Sequence, residues 1–191
     1  MTSLTRADKS PQQPPADGSW NSARFSAGYL ASYQPFSFTD GPGVRCAVYV
    51  SGCPFACAGC YNRAAQSFRY GQPFTEQMEQ RIMADLAQPY VQGLSLLGGE
   101  PFLNTGLCLR LARRVRAKLP DKDIWCWSGY TLEQLRGSVN AGNTDQGELL
   151  ELIDVLVDGP FIESRKDLSL PFRGSSNQRI LHLKTDEAVP T

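Results

Sequence analysis

The chain carries Arg45-Cys46-Ala47-Val48-Tyr49-Val50-Ser51-Gly52-Cys53-Pro54-Phe55-Ala56-Cys57-Ala58-Gly59-Cys60, in which a β-rich run leads directly into three cysteines. The run 45–50 predicts a buried strand. It is entered through Asp40-Gly41-Pro42-Gly43, where glycine permits turn dihedrals that other residues resist. The spacing Cys53-x3-Cys57-x2-Cys60 therefore places three thiols in the loop at the carboxyl end of this strand.

Short β-rich runs alternate with helical patterns along the rest of the chain. Further strands are predicted at 94–97, 124–127, 155–157 and 180–183. Helices are predicted after the capping residue Thr75, at about 105–119, at 131–135 and at 148–153. This alternation is typical of an α/β fold with a mostly parallel sheet. About five βα units are too few for a closed eight-stranded barrel, so we predict a partial, open (β/α) barrel.

Polar and glycine-rich segments follow several of these strands. Gly98-Gly99-Glu100-Pro101 follows the second strand, Ser128-Gly129 the third and Asp158-Gly159 the fourth. In parallel α/β folds, ligands bind at the carboxyl ends of the strands. We therefore expect these segments and the three cysteines to share one mouth.

The cysteine triad has three interpretations. A closed four-iron cluster normally takes four thiolates, so a loop with three leaves one iron free to bind a small molecule. A structural zinc site would need a fourth ligand from Cys46, Cys108, Cys126 or the only histidine, His182, none at zinc-finger spacing. A ferredoxin-like electron-transfer domain would need a fourth cysteine in order. Cys46, Cys108 and Cys126 lie inside apolar patterns and are predicted to be buried small hydrophobes.

Composition excludes several classes of protein. No apolar run approaches the roughly 18 residues that span a bilayer. Lys+Arg and Asp+Glu both total 19, so no overall charge draws the chain to nucleic acid or to acidic lipid. The first residues lack a secretory signal pattern, so we expect a cytoplasmic protein. Five basic residues between 110 and 118 on one helix are interpreted as a solvated face.

Residues 1–28 differ in composition from the rest of the chain. They carry Pro11, Pro14 and Pro15 among small and polar residues, with little apolar periodicity. Such a composition does not repay its ordering entropy. We expect residues 1–28 to form a disordered tail and residues 29–191 to form one catalytic domain.

Several motifs resemble those of a known superfamily. The cysteine triad with Gly98-Gly99-Glu100-Pro101 resembles the radical S-adenosylmethionine superfamily, and Asp40-Gly41-Pro42-Gly43-Val44-Arg45 is similar to its glycyl-radical-enzyme activases. Four further segments resemble the activases of anaerobic ribonucleoside-triphosphate reductase: Cys60-Tyr61-Asn62, 123–130, Leu156-Val157-Asp158-Gly159 and 173–178. The resemblance covers about 29–183. Gly59 and Leu97 depart from it, since many members have an aromatic residue and a small hydroxyl there.

The resemblance implies a set of cofactors and ligands. Cys53, Cys57 and Cys60 would hold one [4Fe-4S] cluster, at which S-adenosylmethionine is reductively cleaved. Further residues are expected at the S-adenosylmethionine site, with Gly98 to Glu100 at its amino group: Gly59, Cys60, Tyr61, Gly98, Gly99, Glu100, Ser128 and Asp158. No side-chain acid or base is required, because cluster and cofactor carry the chemistry.

The resemblance also implies a protein substrate. The activity would be that of a radical oxidoreductase that generates a glycyl radical on anaerobic ribonucleoside-triphosphate reductase. A flavodoxin or a ferredoxin would supply single electrons, and neither nucleic acid nor membrane would be a partner. The cysteine spacing leaves two alternatives open: an activase of another glycyl radical enzyme, such as pyruvate formate-lyase, and a non-catalytic zinc-binding module.

Overall fold

The computed structural model describes residues 10–184. Its strands are β1 (Tyr29–Ser37), β2 (Val44–Val50), β3 (Gln72–Pro73), β4 (Val91–Gly98), β5 (Asp123–Trp127), β6 (Val155–Asp158) and β7 (Arg179–His182). Its helices are α1 (Ser22–Phe25), α2 (Glu76–Leu86), α3 (Thr105–Lys118), α4 (Leu132–Asn140) and α5 (Thr144–Leu152). None of the helices described is long and apolar enough to cross a membrane.

All seven strands form one open sheet in the order β3-β1-β2-β4-β5-β6-β7. Strands β2, β4, β5 and β6 are parallel, whereas β1 and β3 on one side and β7 on the other run antiparallel to their neighbours. The predicted α/β class and the open sheet are confirmed. The sheet is only partly parallel, because the turn at residues 38–43 returns β2 alongside β1 and the chain after β6 folds back as β7.

The helices form where the sequence provides caps and an apolar face. The Thr75 hydroxyl accepts a hydrogen bond from the Met78 N–H at the start of α2, and Ile82 and Leu86 are buried. Helix α4 begins with a capping box between Thr131 and Gln134. Helices α4 and α5 extend beyond the predicted segments 131–135 and 148–153, to Asn140 and back to Thr144.

One face of the sheet packs against the helices and forms the main core. The cysteines of β2, α3 and β5, which are Cys46, Cys108 and Cys126, are all buried in it, as predicted. Four of the five basic residues of α3 form ion pairs within the chain: Arg110 and Arg114 with Glu79, Arg113 with Glu148, and Arg116 with Asp154. The basic run therefore braces α3 against neighbouring elements.

The N-terminal residues differ from the expectation of a disordered tail spanning 1–28. Residues 1–9 of that predicted tail lie outside the described residues. Residues 10–28 contact the domain: the Ser26 hydroxyl donates to the Asn104 side chain, and Phe25 stacks on Phe68 with ring centroids 5.3 Å apart. The packed domain thus includes residues before Tyr29, because Trp20 and Phe25 supply aromatic rings within an otherwise polar segment.

Candidate metal centre

The three cysteines lie in the loop that follows β2, which we call the cysteine loop (residues 51–63). Cys53, Cys57 and Cys60 are all partly buried, and all three line a cavity of about 240 Å³ at the carboxyl ends of the parallel strands. The loop is closed at its base, where the Gly52 N–H donates to the Ala65 carbonyl. Its local fold therefore brings the predicted thiols to one cavity.

The surroundings of Cys53 and Cys57 favour the protonated thiol. Burial raises the pKa of Cys57 to about 11, with the nearby Cys60 thiol adding to the effect. Burial also raises the pKa of Cys53 well above its usual value, reinforced by Glu100. Thiolates are the form that binds metals, and metal binding releases the thiol protons. A bound cation or cluster would therefore compensate the charge of the thiolates at this site.

Backbone groups oppose the effect of burial at two of the sulfurs. The backbone of Phe55 lowers the pKa of Cys53, and the backbone of Phe161 lowers the pKa of Cys57. Backbone hydrogen bonds to sulfur favour the thiolate and tune the potential of a cluster. The segment after β6, which supplies Phe161, is therefore part of the site.

The glycine turn, residues 98–101, lies beside the cysteine loop. The Gly99 N–H donates to the Val50 carbonyl at 2.7 Å, and the Glu100 N–H donates to the Gly52 carbonyl at 2.8 Å. A Cβ atom on Gly99 would lie 2.5 Å from the Gly52 oxygen, so only glycine allows this approach. Because both N–H groups are used, the turn offers a ligand carbonyl oxygens, which suit a donor such as an ammonium group.

Glu100 is fully buried, and its carboxylate joins the turn to the end of β5. It accepts hydrogen bonds from the Phe102 N–H at 3.0 Å, the Ser128 hydroxyl at 2.8 Å and the Gly129 N–H at 2.8 Å. Burial raises the pKa of Glu100 to about 7, against these hydrogen bonds, which lower it. Glu100 and Ser128 both line the cavity.

Three other predicted residues occupy different positions. Asp158 is buried, and its carboxylate accepts from the Leu132 N–H and pairs with Arg179; its neighbour Gly159 lines the cavity instead. Tyr61 stands at the rim, 85% exposed. Gly59, at a φ of 68°, faces Glu163, which a Cβ atom would meet at 2.7 Å. The structure thus brings the cysteines, Gly98 to Glu100, Ser128 and Tyr61 together at the cavity, with Gly59 beside it and Asp158 in supporting contacts.

The segment from Gly159 to Gln178, which we call the far wall, contributes further cavity residues; of these, the sequence had placed only Gly159 at the shared mouth. Its lining residues are Gly159, Phe161, Lys166, Leu168, Phe172, Gly174 and Gln178. Within it, the Gln178 side-chain oxygen accepts from the Gly174 N–H, and the Gln178 side-chain NH2 donates to the Gly159 carbonyl. This residue therefore holds the far wall together.

The donor set fits a four-iron cluster. Each cysteine of such a cluster binds its own iron, whereas zinc draws all its ligands to one ion. Among residues 10–184, no group of three His, Cys, Asp or Glu side chains is arranged around a single ion. Of the candidate zinc ligands, Cys46, Cys108 and Cys126 are enclosed in the core, and His182 lies at the end of β7 with its ring against Trp125. Three thiols at one cavity suit a cluster with an open iron.

Comparisons with known proteins agree with this donor set. The family described as "4Fe-4S single cluster domain" matches residues 39–181. The anaerobic ribonucleoside-triphosphate reductase-activating protein of Escherichia coli K12 is 46% identical over 156 residues, covering 80% of this chain and 97% of that protein. The protein of the same name from Vibrio cholerae is 46% identical over 152 residues, covering 78% and 94%. That of phage T4 is 38% identical over 148 residues, covering 76% and 88%. The chain belongs to the family of anaerobic ribonucleoside-triphosphate reductase-activating proteins and contains a 4Fe-4S single cluster domain.

Proposed function

We propose that this chain is a radical S-adenosylmethionine activase that generates a glycyl radical on anaerobic ribonucleoside-triphosphate reductase. The observation that carries the proposal is the shared cavity of Cys53, Cys57, Cys60 and the glycine turn. The names of the relatives, which are reductase-activating proteins, support the partner. The open sheet is compatible with a partial (β/α) barrel of the radical S-adenosylmethionine type.

The residues divide into cluster ligands and cofactor contacts. Cys53, Cys57 and Cys60 would hold three irons of one [4Fe-4S] cluster and leave the fourth for S-adenosylmethionine. Carbonyl oxygens of the glycine turn would accept from the amino group of that cofactor. Tyr61 at the rim and Gly59 would lie near its other end. When bound, the two cofactors supply a one-electron cleavage of a carbon–sulfur bond that yields an adenosyl radical able to take hydrogen from a glycine.

This chain's own residues bind, orient and shield. The carboxylate of Glu100 fixes Ser128 and Gly129 against the glycine turn, so that the cavity floor has one geometry. Cavity walls include the apolar side chains of Phe55, Leu97 and Trp127, which exclude water from reactive groups. No side-chain acid or base is needed for hydrogen atom removal.

The protein substrate must reach the cavity from outside. Tyr61 and Leu168 are exposed by 85% and 81% while lining the cavity, so apolar surface surrounds its entrance. A loop of a second folded protein can cover such surface when it docks. A flavodoxin or ferredoxin would supply the electron, and the location would be the cytoplasm.

The test is anaerobic reconstitution of the cluster, followed by reductant and S-adenosylmethionine, with and without the reductase. We expect 5'-deoxyadenosine and an electron paramagnetic resonance signal of a glycyl radical on the reductase. A Cys60→Ala variant should give neither, and a Cys108→Ala variant, altered in the core, should give both. Absence of 5'-deoxyadenosine from the wild-type holoprotein would overturn the proposal. A glycyl radical that forms on pyruvate formate-lyase and not on the reductase would show that the chain activates the alternative substrate.

A further inference from the structure

Phe55, between the first two ligand cysteines, anchors the cysteine loop through its buried side chain. Its side chain is 1% exposed. Its ring meets the rings of Trp20 and Tyr130 edge-on, with centroids 5.3 Å and 5.2 Å away. Of these two partners, Tyr130 follows β5 in the domain, whereas Trp20 comes from the N-terminal segment. One of the two aromatic rings that contact Phe55 therefore comes from the segment N-terminal to β1.

The same N-terminal segment also holds the loop backbone. The Gln12 N–H donates to the Phe55 carbonyl at 2.7 Å. The segment is itself fixed at its middle, where the Asn143 side chain donates to the Gly18 carbonyl, and at its end, where Ser26 bonds Asn104. These contacts tie residues 10–28, which we call the strap, to two helices and across the cysteine loop.

The loop needs such support because its backbone is strained. Ala56, between Phe55 and Cys57, has a φ of 52°, a left-handed conformation that non-glycine residues resist. Strained residues persist only where the surroundings hold them. Release of Phe55 would let Ala56 relax and turn the Cys57 thiol away from its present direction.

We propose that the strap clamps the cysteine loop and that Trp20 is a positioning residue for the cluster ligands, acting through Phe55. The strap lies N-terminal to the region matched by the cluster family, residues 39–181. The clamp limits how often the loop opens and hence how quickly the cluster loses iron. The inference rests on the cluster part of the proposed function and not on cleavage of S-adenosylmethionine.

The test follows iron loss from the reconstituted full-length holoprotein to a ferrous chelator under anaerobic conditions. Trp20→Ala should lose iron about tenfold faster, because one aromatic contact contributes about that factor to a local opening equilibrium. Trp20→Phe, which keeps an aromatic ring, should lose iron at close to the slow wild-type rate. Gln12→Pro, which removes the N–H that donates to the Phe55 carbonyl, should also speed iron loss while leaving every aromatic ring in place. The reduced cluster in both weakened variants should show a broadened electron paramagnetic resonance signal.

Two controls separate the clamp from general damage. Phe36→Ala removes an aromatic ring that pairs with Tyr90 away from the loop, and should lose iron at the wild-type rate. Ala16→Pro places proline elsewhere in the strap, at an exposed residue whose N–H donates to none of the described residues, and should also lose iron at the wild-type rate. If Trp20→Ala fails to fold, Gln12→Pro alone decides. Wild-type iron loss and an unchanged signal in Gln12→Pro or in folded Trp20→Ala would overturn the clamp. Because this readout needs no S-adenosylmethionine, its failure is distinct from failure of the activase proposal.

Discussion

The cysteine loop and the glycine turn lie side by side at one cavity, yet the two are held in different ways. The turn satisfies its N–H groups and its carboxylate within the protein: the Gly99 and Glu100 N–H groups donate to backbone carbonyls, and the Glu100 carboxylate accepts three hydrogen bonds. The loop instead presents thiols at the cavity, and burial raises the pKa of Cys53 and Cys57. The turn is held by hydrogen bonds within the chain, whereas the thiols of the loop are suited to binding a cation or a cluster.

The difference shows how the fold separates rigidity from reactivity. Buried polar groups with full sets of partners fix a single local structure. Thiols at a cavity can release their protons and bind a metal ion or a cluster as thiolates. Changes in the cysteine loop should therefore affect cluster content first, and changes in the glycine turn should affect the stability of the fold first.

The largest effect is expected from removing a ligand in the cysteine loop. Cys57→Ala should lose the cluster, because two thiolates cannot hold three irons of a cubane. Iron and sulfide content and the visible absorption of the reconstituted protein measure this loss. Cys108→Ala, which changes a fully buried core cysteine, should keep the cluster at somewhat lower stability. Full iron content in Cys57→Ala would break the comparison.

A large stability effect is expected at Glu100 in the glycine turn. In Glu100→Gln an amide NH2 can face the Gly129 N–H, leaving a buried donor unpaired at a cost of about 2 kcal/mol. Urea unfolding of the metal-free protein at pH 7.5 measures this cost. Glu151→Gln, on the exposed end of α5, should unfold like the wild type.

The pH dependence of the free energy of unfolding should also differ between the wild type and Glu100→Gln. Burial raises the pKa of Glu100 to about 7 from the ordinary 4.5, so the folded protein keeps a proton that the unfolded chain releases. This contribution to the free energy of unfolding is complete below pH 4.5 and is lost as the pH rises through about 7. It amounts to about 3 kcal/mol. The gap between wild type and Glu100→Gln should therefore widen as the pH falls from 7.5 to 5; a constant gap would contradict the raised pKa.

The sequence predicted the strands and loops that build the cavity because their signals are local. The run 45–50 became β2, the cysteines followed it, and the glycine turn followed β4. Parallel strands bring their carboxyl ends together, so the shared mouth followed from strand order alone. The position of the predicted site could thus be derived before the helices were placed in detail.

Long-range packing could not be predicted in the same way. Strand β1 contains Pro35, which disfavours a paired strand, yet β3 pairs with β1 only at Tyr29 and Leu30 and leaves Pro35 on a free edge. The far wall and the strap depend on contacts with residues distant in sequence, such as Phe172 with Trp127 and Trp20 with Phe55. Local periodicity carries no information about such partners.

Gly99→Ala tests the close approach between the backbones of the glycine turn and the cysteine loop. Its Cβ atom would lie 2.5 Å from the Gly52 oxygen, a backbone atom that cannot move without shifting the cysteine loop. We expect the free energy of unfolding to fall by about 3 kcal/mol. Gly106→Ala in α3, where a Cβ atom meets nothing within 4 Å, should instead gain up to about 1 kcal/mol. Equal effects of the two substitutions in urea unfolding would show that the two backbones do not meet here.

The smallest effect on the free energy of unfolding is expected at Ala56, where the backbone of the cysteine loop is strained. Ala56 has a φ of 52°, so Ala56→Gly relieves about 1 kcal/mol of strain and forfeits part of it to the greater freedom of glycine when unfolded. The net gain in the free energy of unfolding should be about 0.5 kcal/mol. The same substitution two residues along, Ala58→Gly, lacks strain to relieve and should lose about 0.5 kcal/mol. Both sites lie between ligand cysteines, so opposite changes in the free energy of unfolding would assign the difference to backbone strain at Ala56. A decrease in the free energy of unfolding for both variants would show that Ala56 is not strained.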